Sequence, residues 1–558
     1  MTVIRPSVDN EAPAQVRMPV GLSVWMGRLL LAVAPMLSGL YAIYAGQDTS
    51  WDLRNYHFYN PFAFLSDRMG QDIAVAHVAT YYNPLMYLPF YWAVTSLPPR
   101  IVGFILGLMA GFNVWLLYGI ARQCIDLGQR FRTVWACLGV AAISFSGAMN
   151  LAEIGTSYGD NILSLPILAA VWLIVRFRTR FRVSLRSGWP IAAPAGLLMG
   201  AALGLKLPFA IYAVALCSAF FGLALPFARR FSLAFIFGVG VLGGTALTGG
   251  FWMLEMWQRF RNPVFPYFND VFQSTWGAIG SYRDERFLPT NLIQSLLFPF
   301  QLTINPFQVG EVAFRDLRIP LLYLLLLALP GRTLWRHRPG CRSASPGDTG
   351  EARGTTRFLI IFMVVAFILW MKLFSVYRYA IVCEFLAPLA ILLLLRTLWR
   401  DTRRRIQIAL MSLVILLVTV KPGDWGRRSW TTDYFDVRLP PFAEPGNTLV
   451  LTTGHNATAY LIPFFPPPVR VLRLQGYLTG PSPNLNDTDR LMRRTVDTHH
   501  GPIYVLFRSY DEANALETLE SYGLELDSEE APHRFLPGIE SQPEHPYYLR
   551  RVTRKTDP

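Results

Sequence analysis

The stretch LSVWMGRLLLAVAPMLSGLYAIYAGQDTSWDLRNYH, residues 22–57, decides the kind of fold this chain adopts. From Leu22 to Ala45 the only charged residue is Arg28, and such a run crosses about 30 Å of hydrocarbon as one helix. It is too long for the apolar core of a cleavable signal, so it reads as a retained signal anchor. The composition then reverses: Asp48, Asp52, Arg54 and His57 arrive together with Tyr56, Phe58 and Tyr59. Charged groups at the edge of a bilayer are costly, and they are usually paired or used.

Working outward, the rest of the chain repeats the first theme. Of its 558 residues 52% are hydrophobic and only 16% charged, where soluble proteins carry about a quarter; mean hydropathy is +0.31. Further apolar segments of spanning length lie at 101–121, 133–150, 161–177, 190–205, 207–226, 231–252, 318–333, 358–375, 379–397 and 406–421. Two weaker ones, 82–97 and 291–304, are short or Pro-rich and read as half-inserted or interfacial helices. The net charge of +14 collects in arginine-rich connections at 122–132, 176–186, 228–230, 332–342 and 396–405. Basic loops mark the cytoplasmic side. That places the N-terminus inside, and puts 46–100, 151–160, the region of residue 206, 253–317, 376–378 and everything after Val420 outside. No basic run is interleaved with aromatics in a soluble segment, which excludes nucleic acid as a partner.

From residue 422 the chain becomes polar. NTLVLTTG and GPIYVLFRS read as strands, and DEANALETLESYG as a helix opened by Asp and closed by Gly. The expected fold class is therefore a polytopic α-helical membrane protein of about 11–13 transmembrane helices with a small C-terminal α/β domain outside the membrane. Its parts are a membrane domain, 1–421, with a first outer loop, 46–100, and an outer domain, 422–558. The loop 338–357 is Gly/Ser/Arg-rich and reads as flexible. The five cysteines, Cys124, Cys137, Cys217, Cys341 and Cys383, include no CxxC pair, so neither a disulfide framework nor a cysteine metal site is expected. No Walker motif, GxGxxG before a helix, HExxH or internal repeat is present.

The polar residues that fall at the outer face are the candidates for chemistry. Asp48, Asp52, Arg54 and His57 follow the first helix, Glu153 and Asp160 lie in NLAEIGTSYGDN, and Lys206 interrupts LGLKLP. Arg378 and Tyr379 form the minimal loop VYRY, Arg283 sits in SYRDER, and His455 lies in TGHN. A carboxylate can take a proton from an acceptor hydroxyl or amine. Lys and Arg can hold a phosphate as charge develops on it. Each residue also has a plainer reading. Asp52 and Asp160 are good helix caps, Lys206 could reach up to the interface, Arg378 could anchor topology, and His57 could be a packed core histidine. The aromatic stretch 53–66 would lie flat at the membrane surface and frame a lipid-facing groove.

In their order and shared face these motifs resemble the type C glycosyltransferase superfamily. Within it they are most similar to the bacterial protein-mannosyltransferase and aminoarabinose-transferase branch, families 39 and 83. WDLRNYHFYNPFAFL (51–65) followed by YYNPLMYLPFY (81–91) resembles the family's acidic first loop and its Pro-Pro-Leu-Tyr stretch, SYGDN (157–161) its second acidic loop, LGLKLP its lysine segment, and Arg378-Tyr379 its late Arg-Tyr. The resemblance implies that Asp52 is the catalytic carboxylate, acting as general base or positioning the acceptor nucleophile, with Asp160 or Glu153 orienting the acceptor or a basic residue. It further implies that Lys206, Arg378 and Tyr379, with His57, Asp48, Arg283 and His455 around them, bind substrate and phosphate. The donor would be a polyprenyl-phosphate sugar, and the acceptor lipid A, a glycan, a cell-wall polymer or a protein. Transfer would invert the anomeric centre at the outer face of a bacterial cytoplasmic membrane, with the C-terminal domain periplasmic. No cofactor is obligatory, and a divalent metal serves only some branches; Asp48 and Asp52 form no DxD. WDLRNYH stands where many relatives have Asp-Glu-x-x-Tyr, and Asn83-Pro84 replaces Pro-Pro, which leaves donor and acceptor open. Two rival readings use the same features: an O-antigen polymerase or ligase working through Arg283, and a lipid-linked-sugar transporter.

Overall fold

The structure, a computed structural model, describes residues 20–336 and 350–555 except 483, 541 and 543. Every apolar segment expected to span forms a helix. Among the described residues six helices are long and apolar enough to cross a membrane: Val24–Ala45, Pro99–Cys124, Leu185–Leu205, Phe227–Phe260, Gly350–Leu373 and Tyr377–Leu398. Between them run Arg130–Phe145, Asp160–Arg176 and Arg318–Arg336, with the apolar stretch Leu207–Gly222, and Thr402–Thr419 follows the last. The chain is a polytopic helical membrane protein. The weak segments resolve into Pro84–Tyr87 with Leu88–Ser96, and Leu292–Ile304. At about 1.5 Å per residue neither is as long as the hydrocarbon is thick.

The C-terminal region holds a six-stranded mixed sheet in the order β2-β1-β3-β6-β4, with β5 also on β6. The strands are β1 (Leu449–Thr452), β2 (Arg470–Arg473), β3 (Ile503–Arg508), β4 (Leu524–Leu526), β5 (His533–Phe535) and β6 (Tyr547–Arg554). β1 pairs in parallel with β2 and β3, while β6 runs antiparallel to β3, β4 and β5. β1 and β3 are buried along their whole length, as their unbroken apolar runs require.

Two expectations are corrected. The stretch 53–66 does not lie on a membrane surface. It forms a π-helical turn, Leu53–His57, and a helix, Tyr59–Leu65, buried beneath the C-terminal region. Phe58 packs on Phe435 with ring centres 4.2 Å apart, and only Phe64, Leu65 and the cap Ser66 are exposed. Its aromatics found protein to cover them, so their apolar face is spent on a core rather than on lipid. Second, residues 350–357 are not loop but the first turns of Gly350–Leu373. There Glu351 pairs with Arg178 at 2.9 Å, an acidic group in a first helical turn where the dipole favours it. The remainder of that loop with Cys341, and the N-terminal residues whose side of the membrane was read from charge, lie outside the described residues. Cys124, Cys137, Cys217 and Cys383 are free thiols.

Candidate functional site

The polar segments spread over four parts of the sequence meet at one end of the helix bundle. Asp52 begins the first-loop helix but does not cap it. Its carboxylate instead accepts from Arg378 Nη1 at 2.7 Å, both side chains being about nine-tenths buried. Arg378 reaches it from a short turn, Tyr377–Ala380, held below by Trp370 Nε1 donating to the Val376 carbonyl at 2.7 Å and by Tyr212 Oη donating to that of Tyr379 at 2.6 Å. The guanidinium lies over the ring of Tyr158 at 4.4 Å and that of Tyr379 at 5.2 Å.

Lys206 forms the second ion pair. Pro208 lacks an N–H and stops the Leu185–Leu205 helix, so Lys206 is extended at its end, φ −148° and ψ 109°. The break exposes carbonyls that must be satisfied. Asn83 supplies donors, its Nδ2 reaching Gly204 O and Thr248 O at 2.8 Å each. Lys206 Nζ then donates to Asp160 Oδ1 at 2.5 Å and to Tyr158 O at 3.2 Å, and sits 5.4 Å from the Tyr379 ring. Asp160 is the first residue of its helix and makes no cap bond. One tyrosine ring is thus shared by both cations.

Glu153 ends the short helix Ala148–Glu153, whose first amides are held by two acids. Asp316 accepts from Ala148 N at 2.9 Å, and Glu384 from Met149 N and Asn150 N at 3.1 and 3.0 Å. Glu153 Oε2 accepts from Asn161 N at 3.2 Å. Its Oε1 and the Oδ2 of Asp160 are buried with no partner. Burial, and the charge of Asp160 beside it, push the Glu153 carboxyl well above the usual range.

Asp48 and His57 are joined through Ser157. Ser157 donates from its amide and hydroxyl to Asp48 Oδ2 at 2.9 and 2.7 Å, and its oxygen lies 2.7 Å from His57 Nδ1. The hydroxyl proton is committed to the carboxylate, so His57 donates from Nδ1 and keeps its lone pair on Nε2. Nε2 is buried without a partner, and the ring stacks on Tyr87 at 4.3 Å. Burial, then Lys206 and Arg378 nearby, hold His57 well below the usual histidine range.

Asp48, Asp52, His57, Glu153, Asp160, Lys206, Arg378 and Tyr379 therefore gather in one place. Arg54 faces away, pairing with Glu540 at 2.6 Å. Arg283 pairs with Glu285 at 3.0 Å, and His455 lies beside Trp51 at the sheet. Four contributors escaped the sequence reading. Tyr158 and Ser157 were in view in SYGDN but have no signal of their own beside an acid. Glu311 lies within electrostatic reach of Arg378 and Asp52. Arg427 donates to the carbonyls of Gly46, Ala152 and Ile154 at 3.1, 2.7 and 2.6 Å, tying both acidic loops together from the far side of the chain. Among the described residues no three His, Cys, Asp or Glu side chains are grouped to hold a metal ion.

No family model matches this chain, and no curated protein matches it. Among solved structures it is similar to the oligosaccharyltransferase of Archaeoglobus fulgidus in its apo form, at 11% identity and TM-score 0.42, covering 90% of this chain and 71% of that one. It is also similar to the archaeal oligosaccharyltransferase AglB from Archaeoglobus fulgidus in complex with an inhibitory peptide and a dolichol-phosphate, at 10% identity and TM-score 0.43, covering 89% and 71%. At these scores the likeness carries no argument, and the reading of the site rests on its own residues.

Proposed function

We propose that this protein is an integral-membrane glycosyltransferase that moves a sugar from a polyprenyl-phosphate donor to an acceptor at the outer face of the membrane. The observation that carries the reading is the pair of acid–cation contacts, Asp52–Arg378 at 2.7 Å and Asp160–Lys206 at 2.5 Å, sharing the Tyr379 ring. Each cation is balanced by an acid that a phosphate can replace. A donor phosphate that engages Arg378 frees Asp52. Asp52 then takes the proton of the acceptor hydroxyl as the new bond to the sugar's anomeric carbon forms. The old bond to the phosphate oxygen breaks, and its electron pair stays on a phosphate that Arg378 and Lys206 hold. Attack opposite the leaving group inverts the centre. Asp160 and Glu153 orient the acceptor, and the Asp48–Ser157–His57 chain holds the first loop in place.

The test is transfer from a panel of radiolabelled polyprenyl-phosphate sugars by purified protein in lipid, with an envelope extract as acceptor and with and without a divalent-metal chelator. Wild type should transfer label, and Asp52→Asn should lose it at least a hundredfold while keeping its thermal transition. An active Asp52→Asn, or activity lost in Arg283→Ala instead, sinks the assignment. Loss of activity in the chelator arm alone would add a metal to the reading.

A further inference from the structure

Next to Asp52, four rings from the first loop and the C-terminal region, Trp51, His77, His455 and Tyr477, close into a cradle. Trp51 opens the first-loop helix and stacks on His77, ring centres 5.7 Å apart and planes 21° from parallel. His77 lies parallel to His455, 6.2 Å away at 9°. Tyr477 crosses the other three at 6.3, 4.9 and 4.6 Å from Trp51, His77 and His455. The base of the cradle is fixed. His77 is buried, its Nδ1 accepts from the Tyr477 amide at 3.2 Å, and Trp51 Nε1 donates to the His455 carbonyl at 3.3 Å. Gly476 is needed there, because a Cβ would strike His77 Nδ1.

The rim is open. Trp51 is 36% exposed and Tyr477 53%, and His455 is exposed. Large aromatics left clustered in water do nothing for the fold, and such patches mark binding surfaces. The neighbours are polar: Tyr510, also exposed, donates to Asn456 Oδ1 at 2.5 Å. Arg286, pinned to Asp284 at 2.6 Å and 68% exposed, lies within electrostatic reach of Tyr477 and Glu311. Glu311 in turn lies within electrostatic reach of Asp52 and Arg378, and Trp51 is the residue directly before Asp52, so the cradle adjoins the acid–cation pair. Flat rings edged by amide, hydroxyl and charged groups suit a pyranose, which offers C–H bonds on its face and hydroxyls at its edge. A lipid chain would want no such polar rim.

We infer that Trp51, His455 and Tyr477 form a sugar-stacking subsite that holds a ring of a carbohydrate acceptor against Asp52. This rests on the glycosyltransferase reading and narrows it: the acceptor is a glycan, entering from the water side, while the donor phosphate is held by Lys206 and Arg378. Backbone bonds pre-set the rings, so little ordering cost remains on binding.

The test is saturation-transfer NMR on the full chain in nanodiscs with chitotetraose, maltotetraose, mannotetraose and cellotetraose. At least one should take up saturation on its ring protons. Trp51→Ala and Tyr477→Ala should each weaken that binding at least tenfold, and Trp51→Phe should largely restore it. Saturation of none of the four, or equal saturation in the alanine variants with unchanged melting, overturns the subsite. Displacement of the oligosaccharide by the polyprenyl-phosphate sugar alone would assign the cradle to the donor and overturn it as well. Oligosaccharide binding with no transfer from any donor would sink the enzyme reading and leave the cradle standing. Transfer to a non-carbohydrate acceptor without oligosaccharide binding would sink the cradle alone.

Discussion

At the scale of single residues, the fate of His57 was decided by Ser157, a hundred positions away. Burial alone would leave its tautomer open; Asp48, by claiming the serine proton, closes the choice. Ser157→Ala strands a buried donor on His57, which costs about 1–3 kcal/mol, and should lower the melting temperature by several degrees in a thermal-shift assay. The two shifted groups act on opposite limbs of pH. His57 stays neutral in the folded chain, while the unfolded chain binds a proton near pH 6.5. Its contribution is therefore present above about pH 6.5 and is lost as pH falls below it. The folded Glu153 keeps its proton above the ordinary value, so its contribution is complete below about pH 4.3, the unfolded value, and is lost as pH rises toward the folded one. Glu153→Gln should accordingly raise the melting temperature at pH 8 and change little at pH 4. An equal drop at both would contradict the assignment. The sequence picked out Asp52, Asp160, Lys206 and Arg378 as one set, because charge is scarce in membrane segments and its position is legible. It did not say which acid meets which cation, since the partners lie 326 and 46 residues apart.

At the scale of elements, the helices followed from apolar length and β1 and β3 from apolar runs, while the short or charged β2, β4, β5 and β6 carried no such signal. What fell outside that reading was how closely two helices pack. Gly196, Gly200 and Gly204 of Leu185–Leu205 face Gly240, Gly244 and Gly249 of Phe227–Phe260, and a Cβ on Gly200 would strike the Val241 carbonyl. Small residues at this spacing let backbones touch, which is how helices associate where lipid removes the hydrophobic drive. Gly200→Leu should abolish the folded protein, and Gly200→Ala should lower its melting temperature, read by size-exclusion profile and thermal shift. A Gly200→Leu protein that melts like wild type would show that the contact is dispensable. Lys206 caps one of these helices, so the packing also fixes where a site cation stands.

At the scale of the whole molecule, the first loop belongs physically with the C-terminal sheet. Ile73 extends the β2 edge by bonding Val471 O at 3.1 Å and accepting from Arg473 at 3.0 Å. Beside it the buried pair Arg68–Asp72, at 2.7 Å, reaches the carbonyls of Pro467 and Val469 at 2.6 Å each. Arg68→Ala would leave Asp72 buried and unpaired, a loss of about 3–5 kcal/mol. It should show as faster hydrogen exchange at Ile73 and Val471 while the membrane helices keep their protection. Unchanged exchange at those amides would mean that the pair does not hold the two parts together.

By itself the sequence determined that this chain spans a membrane repeatedly, which of its loops are basic, and that a mixed α/β region follows the last helix. These follow from local chemistry: apolar length, scarce charge and turn residues act within a few positions. Only the tertiary structure decided that Asp52 meets Arg378 rather than capping its own helix. It alone decided that the aromatic first loop is covered by protein rather than lipid, and that Trp51, His455 and Tyr477 stand together. Those outcomes depend on which distant segment arrives to satisfy a buried charge or cover an apolar face, and that is settled by packing across the whole chain.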